Sequence, residues 1–261
     1  MQLKSFFIKS FSGLIPTLIP PIHIYVLYRY WRNYARKVDK RYCSCSCWDT
    51  VFKGTYESGI ASYKHLYFNA TINTTKIWLM TVVGILLLYE SCKYELKLLF
   101  ERRLRFLMMI LFLSSLFSHY YTWWVYINYW NDDFYSQWNH QLFFTITEVM
   151  STIVVLHLSD CKNQISTRKI LTIVSIALVH ILAGGLDQFV TNVVWGEGYA
   201  HQVLRDICFM IPDVLHVVLP LIELARYRRE NEFFLPAVNF KKDVTFIVTL
   251  VVIGFSVSYI L

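Results

Sequence analysis

Seven stretches of this chain are long, apolar and free of charge, or carry a single charged residue. They are Ser10–Tyr28, Ile77–Tyr89, Phe106–Asn131, Leu142–Leu158 (interrupted by Glu148), Ile170–Leu186, Ile207–Ile222 (interrupted by Asp213) and Val244–Leu261. A helix crosses a bilayer core in about 20 residues, within a range of about 17–25. The runs are continuous and do not alternate, which argues for helices over barrel strands. In hydrocarbon every backbone N–H and C=O needs a partner, and a helix supplies them within one segment. Composition agrees. The chain is 56% hydrophobic and only 16% charged, against about 45–50% and about 25% for a soluble domain. Soluble single-domain enzyme, disordered chain and disulfide scaffold are poor fits.

The expected fold is therefore an all-α polytopic bundle of six or seven spans, with 1–261 forming one integral membrane domain. The candidate spans are 10–28, 75–92, 104–127, 140–158, 170–187, 206–224 and 244–261. Two are irregular. Ile77–Tyr89 covers only about 20 Å as a helix and must recruit its polar flanks to span. Pro16, Pro20 and Pro21 are expected to break the first run, leaving a kinked span, a re-entrant hairpin or an interfacial segment. That run has no small-residue cleavage site, so it does not read as a removable signal.

Lys plus Arg outnumber Asp plus Glu by 25 to 18. The basic residues fall in short clusters between apolar runs, the pattern that sets membrane orientation, and no nucleic-acid partner is expected. Segments 93–105, 162–169 and 226–242 are basic, while 118–141 has no Lys or Arg and 187–206 has only Arg205. This alternation places the basic segments in the cytoplasm. Residues 29–75 dissent, with Arg29, Arg32, Arg36, Lys37, Lys40 and Arg41 on the side that parity puts outside. Two acceptor sequons at Asn69 and Asn73 agree with outside, but stand very close to the next span. Cys43, Cys45 and Cys47 match no zinc spacing; acylation, partial pairing and inertness all stay open. The short apolar cores favour a thin bilayer such as the endoplasmic reticulum over the plasma membrane.

A charge at mid-bilayer costs at least about 2.5–3.5 kcal/mol, so each one needs a partner or a role. Measured from the non-cytoplasmic ends, Glu148, His180 and Asp213 lie about 10–12 Å deep and His216 about 15 Å. If their three helices pack together, the four residues reach similar depth. Asp213 and His216 are neighbours at i, i+3, and Thr145, Ser151 and Thr152 flank Glu148. Pro212 opens the backbone beside Asp213. Gly184 and Gly185 allow close helix approach or a local break. Three readings follow: a structural cluster that locks helix register, a proton or cation site for transport or sensing, and a divalent metal with an open position, as in an intramembrane lipid hydrolase. No resident cofactor is otherwise expected.

The stretch 119–140 carries four Trp and five Tyr with no Lys or Arg, which suits an interfacial belt. Asp132, Asp133 and His140, with Asp187, His201 and Asp206 from the next outer loop, form a candidate polar mouth above the cluster. The same aromatic stretch is a candidate contact for a membrane-protein partner. His119 is expected at the boundary. The function expected from the sequence is transport, sensing or assembly ahead of catalysis. Metal-dependent lipid hydrolysis and a non-catalytic structural subunit are the alternatives.

Overall fold

The computed structural model describes residues 2–30, 50–55, 61–65, 72–131, 138–230 and 240–261. Cys43, Cys45, Cys47, Asn69, Asp132 and Asp133 lie outside the described residues. Asn73 and Asp187 fall within helices, but their side chains are also outside what is described.

In chain order the elements are α1 (Gln2–Tyr30), β1 (Thr50–Thr55), β2 (Ala61–His65), α2 (Ile72–Phe100), α3 (Phe106–Asn131), α4 (Trp138–Ser159) and α5 (Thr167–Gly184). A π-helix (Gly185–Val194), α6 (Ala200–Glu230) and α7 (Phe240–Ile260) complete the described chain. The described elements are thus helical apart from one antiparallel ladder, which pairs Thr50 with His65 and Thr55 with Ala61. Five helical segments are long and apolar enough to cross a membrane: 106–127, 138–159, 167–184, 200–230 and 241–260.

The chain divides into two compact units. The first comprises residues 1–93 and 123–135. Here α1 is unbroken across Pro16, Pro20 and Pro21, contrary to the expected break. Proline's fixed φ is compatible with a helix, so the run stays continuous, although each ring removes one backbone bond and crowds the carbonyl four residues before it. Within the same unit Trp123 Nε1 donates to Thr81 Oγ1 at 2.8 Å, and Thr81 Oγ1 donates to the Ile77 carbonyl at 2.7 Å. The indole N–H of the half-buried Trp123 is thereby satisfied close to the buried Ile77.

The second unit comprises residues 94–122 and 136–261 and holds the buried polar residues considered below. Its centre is α5, packed against α4, α6 and α7. Ile170, Leu171, Ile173, Val174, Ala177 and Val179 are all buried along it. Close approach occurs at Gly254 of α7, where an added Cβ would come within 2.7 Å of Val179. Gly184 and Gly185 do not serve that purpose: Gly184 has open space around its Cβ position, and Gly185 would make only ordinary contact with Met210 at 3.4 Å. They mark the α-to-π transition instead. Beyond it, Gly196 takes a left-handed φ of 72°. An added Cβ at Gly198 would press on the Asn192 backbone at 2.9 Å.

The basic segment 93–105 does more than set orientation. The Arg103 guanidinium takes both carboxylate oxygens of Asp160. Arg105 Nη1 donates to the Leu158 carbonyl at 2.6 Å and Nη2 to the Asn163 carbonyl at 2.6 Å. Leu158 is in the last turn of α4 and Asn163 in the connection that follows, and a cation there offsets the partial negative charge of the helix end. A short backbone bridge joins the same segments, with Arg105 N on the Ser159 carbonyl and Cys161 N on the Arg103 carbonyl, each at 2.8 Å. Arg102 turns the chain into this clamp with φ 56°. Arg103 N bonds back to the Leu98 carbonyl at 2.9 Å, completing a helix C-terminal motif that usually uses glycine.

Two outcomes follow. Arg102→Gly relieves the left-handed strain and raises stability by about 0.5–1 kcal/mol, net of the extra freedom of the unfolded chain. Thermal unfolding of the purified protein reads this. Burial pushes the Asp160 carboxyl up, but the Lys162 amide and the Arg103 guanidinium outweigh it and hold the group below its ordinary value. A depressed carboxylate contributes stability that is present above the ordinary Asp pKa and lost as pH falls through the folded value. The drop in melting temperature on acidification below about pH 4 is therefore shallower in Asp160→Asn than in the parent, and the variant is less stable at neutral pH.

Candidate functional site

Helices α4, α5 and α6 bring Glu148, His180 and Asp213 to one place, with one possible ligand atom from each lying within 4.8 Å of the others. His180 Nδ1 is 3.6 Å from Glu148 Oε2 and 3.5 Å from Asp213 Oδ1. His180 is 9% exposed and Glu148 9%, so water does little to screen either. His180 sits on the enclosed face of the central helix, which explains how a polar ring ends in the interior.

The orientation of the imidazole follows from its other nitrogen. Thr147 Oγ1 lies 3.0 Å from both the Phe143 and Phe144 carbonyls, the back-bonding usual for threonine in an apolar helix. Its hydrogen is used there. Its oxygen, 2.8 Å from His180 Nε2, must then accept, and Nε2 must carry the proton. Nδ1 therefore faces the two carboxylates, as a lone pair in the neutral ring and as an N–H donor in the imidazolium. The Phe144 ring, 5.0 Å from the imidazole between centroids, holds it from the side.

Separations of 3.5–3.6 Å exceed the 2.7–3.2 Å range of an N–H···O hydrogen bond. The Asp213 contact stands at the outer limit of a hydrogen bond and the Glu148 contact just beyond it, so the three groups are loosely paired. In the neutral ring a lone pair facing two anionic groups in a medium of low dielectric is unfavourable, and either a proton on Nδ1 or a metal cation among them removes the conflict. Two ligands about 2.1 Å from a common ion, at tetrahedral to trigonal angles, stand about 3.4–3.6 Å apart. The donor types and the two separations from His180 suit a divalent ion of the zinc class, and the Thr147 hydrogen bond is the kind of outer contact that orients a ligating histidine.

His216 lies one turn along α6 from Asp213 and outside this three-residue group. Its Nδ1 donates to the Pro212 carbonyl at 2.8 Å, which leaves Nε2 as an acceptor. That Nε2 is buried and has no hydrogen-bond partner among the described residues. His119 of α3 reaches Thr152 Oγ1 at 2.8 Å, one turn along α4 from Glu148. A second polar layer thus adjoins the first.

The remaining candidates are placed elsewhere. Asp206 accepts from Asn192 Nδ2 at 2.8 Å and from Arg205 Nε at 2.7 Å. Arg205 also donates to Gln188 Oε1 at 2.5 Å, closing a polar network between the π-helix and α6. His201 stacks on Tyr199 at 6.0 Å between centroids. His140 meets the edge of Phe144 at 4.8 Å, so one aromatic ring separates it from His180. Thr145 donates to its own helix at the Gln141 carbonyl. Two contributors were not singled out by the sequence reading. Thr147 gives no sign of its role until α5 is placed beside it. His119, expected at the boundary, is turned to Thr152; its spacing along α3 was the only available hint.

The fold and site define a helical protein with five membrane-length apolar segments and a buried Glu–His–Asp constellation among three of them. The chain belongs to DUF8801, a family of unknown function that matches residues 5–261. No curated protein and no solved structure matches it.

Thr147→Val leaves the His180 Nε2–H buried without a partner and lowers stability by about 1–3 kcal/mol. Thr147→Ser keeps the hydroxyl and stays within about 0.5 kcal/mol of the parent. Thermal unfolding of the two variants side by side checks this.

Proposed function

We propose that this chain is a polytopic membrane protein that binds a divalent metal ion at Glu148, His180 and Asp213. Its proposed activity is the metal-dependent hydrolysis of a lipid-borne substrate. The observation that carries the reading is the Thr147 lock. It directs Nδ1 of His180 between two carboxylates at 3.5–3.6 Å, longer than the usual hydrogen bond. Three protein ligands leave a position for water, the pattern of catalytic rather than structural zinc sites, and a bound ion lowers the pKa of that water toward neutrality. His216 Nε2, buried and unpartnered among the described residues, is the proposed acceptor for a nearby proton.

We further propose that α1 and α2 join the five apolar segments to give six or seven spans. The endoplasmic reticulum is the favoured membrane, because several apolar cores are short.

The convergence of two carboxylates on one imidazole also supports a second reading, a proton-linked transport or sensing cycle in which Nδ1 takes up and releases the proton.

Metal analysis of protein purified without chelator separates the two. Metal binding predicts about one equivalent of a zinc-class ion per chain. It is lost in His180→Ala and in Asp213→Asn, and weakened about 10–100-fold in Thr147→Val. Protein that stays metal-free at excess zinc, yet shows a pH-dependent transition between about pH 5 and 8 that disappears in His180→Ala, establishes the proton reading instead. Metal that stays bound in both ligand variants places the ion elsewhere.

A further inference from the structure

A second site lies at the end of the second unit where α5 and α7 begin, the end that the basic loops assign to the cytoplasm. An open, shallow cavity of about 540 Å³ with largely apolar walls is lined there by Arg168, Lys241, Lys242, Thr245, Phe246 and Thr249. Three of these described residues are cations and none is an acid. They come from two segments separated by about seventy residues, and the packing of α5 on α7 brings them together.

The positive-inside pattern accounts for basic residues in each loop. It does not account for their convergence on one cavity. The Arg168 guanidinium lies over the Phe246 ring, 4.3 Å from its centroid, which fixes its plane beside the space. The nearest acid on α7, Asp243, is 3.8 Å from Arg228, and Arg228 Nη2 donates to Thr167 Oγ1 at 2.9 Å. The acid therefore has its own cation outside the cavity lining. The first turn of α5 adds partial positive charge, since Ser166 provides no side-chain cap there.

We propose that this cavity binds the headgroup of an anionic phospholipid carrying a phosphomonoester. Its volume is within the usual range for a small-molecule site. Basic pockets between membrane helices on the cytoplasmic side suit such headgroups. The cavity continues along α7 as far as Thr249, two turns into a helix whose Val248 and Val252 are 53% and 58% exposed. Acyl chains have an apolar surface to follow directly from the basic mouth. A soluble anion would have no use for that surface, and this favours the lipid as the source of the phosphate.

The test uses the full-length chain in neutral detergent and measures thermal unfolding. The probes are a short-chain phosphatidylinositol monophosphate, phosphatidylcholine with the same acyl chains, and inorganic phosphate. The phosphorylated lipid is expected to raise the melting temperature in a saturable way. Phosphatidylcholine leaves it unchanged, and phosphate at equal concentration gives at most a tenth of the response. In the combined variant Arg168→Gln, Lys241→Gln, Lys242→Gln the concentration for half-effect rises at least tenfold. Lys242→Gln alone gives a partial rise and serves if the triple variant does not fold. An equal response to phosphatidylcholine, or an undiminished response in the variants, overturns the proposal. A response to inorganic phosphate equal to that of the lipid overturns the assignment to lipid. Arg168 stands twelve residues from His180 on α5, about 18 Å along the helix, and none of the lining residues is a proposed metal ligand, so the site stands whichever way the metal analysis falls.

Discussion

A buried imidazole must place two nitrogens, and hydrocarbon offers neither a donor nor an acceptor. In this chain Thr147 takes Nε2, and the geometry of the ring then commits Nδ1 to the space between Glu148 and Asp213. The arrangement depends on α5. It is the most enclosed of the membrane-length helices, and it carries His180 on its buried side. Its packing against α4, α6 and α7 turns isolated polar residues into a cluster.

Several polar groups elsewhere in the second unit obey the same demand, although neither carboxylate oxygen of the buried Glu95 has a hydrogen-bond partner among the described residues. Asp206 is matched by Asn192 and Arg205, Asp160 by Arg103, and the open carbonyls at and just beyond the end of α4 by Arg105. Against that background the groups that are not matched stand out. The three ligand atoms at Glu148, His180 and Asp213 face each other across a gap, and His216 Nε2 has no partner among the described residues. Buried polar atoms in proteins are nearly always satisfied, so these are the places where an ion, a proton or a water belongs.

Asp206 and Asp213 show how a face differs from a site. Seven residues apart, they lie on one line of α6. The π-helix supplies Asn192 to the first, while α5 supplies His180 to the second. Wider π turns shift the side chains that follow them, and no periodicity in 185–194 announces that shift. The short ladder at 50–65 was equally hidden, because strands of five and six residues inside a long polar connection carry too little pattern to distinguish them from loop. Arg103 and Arg105 looked like orientation signals, and their use as helix-end partners depends on α4 finishing beside them.

The residues alone settle that the described chain is mostly helical and that its long apolar segments suit hydrocarbon, because composition and uninterrupted apolar length act within one segment at a time. They also mark Glu148 and Asp213, since each is the single charge in an apolar run and single charges there are costly. Which of these meet is decided by how the helices turn toward one another. Thr147 joins the site, His119 leaves the boundary for Thr152, and Arg168 comes to share a cavity with Lys241 and Lys242. Rotation about a helix axis changes every inter-helix neighbour while leaving the hydropathy of the segment untouched, so only packing in three dimensions selects among the alternatives.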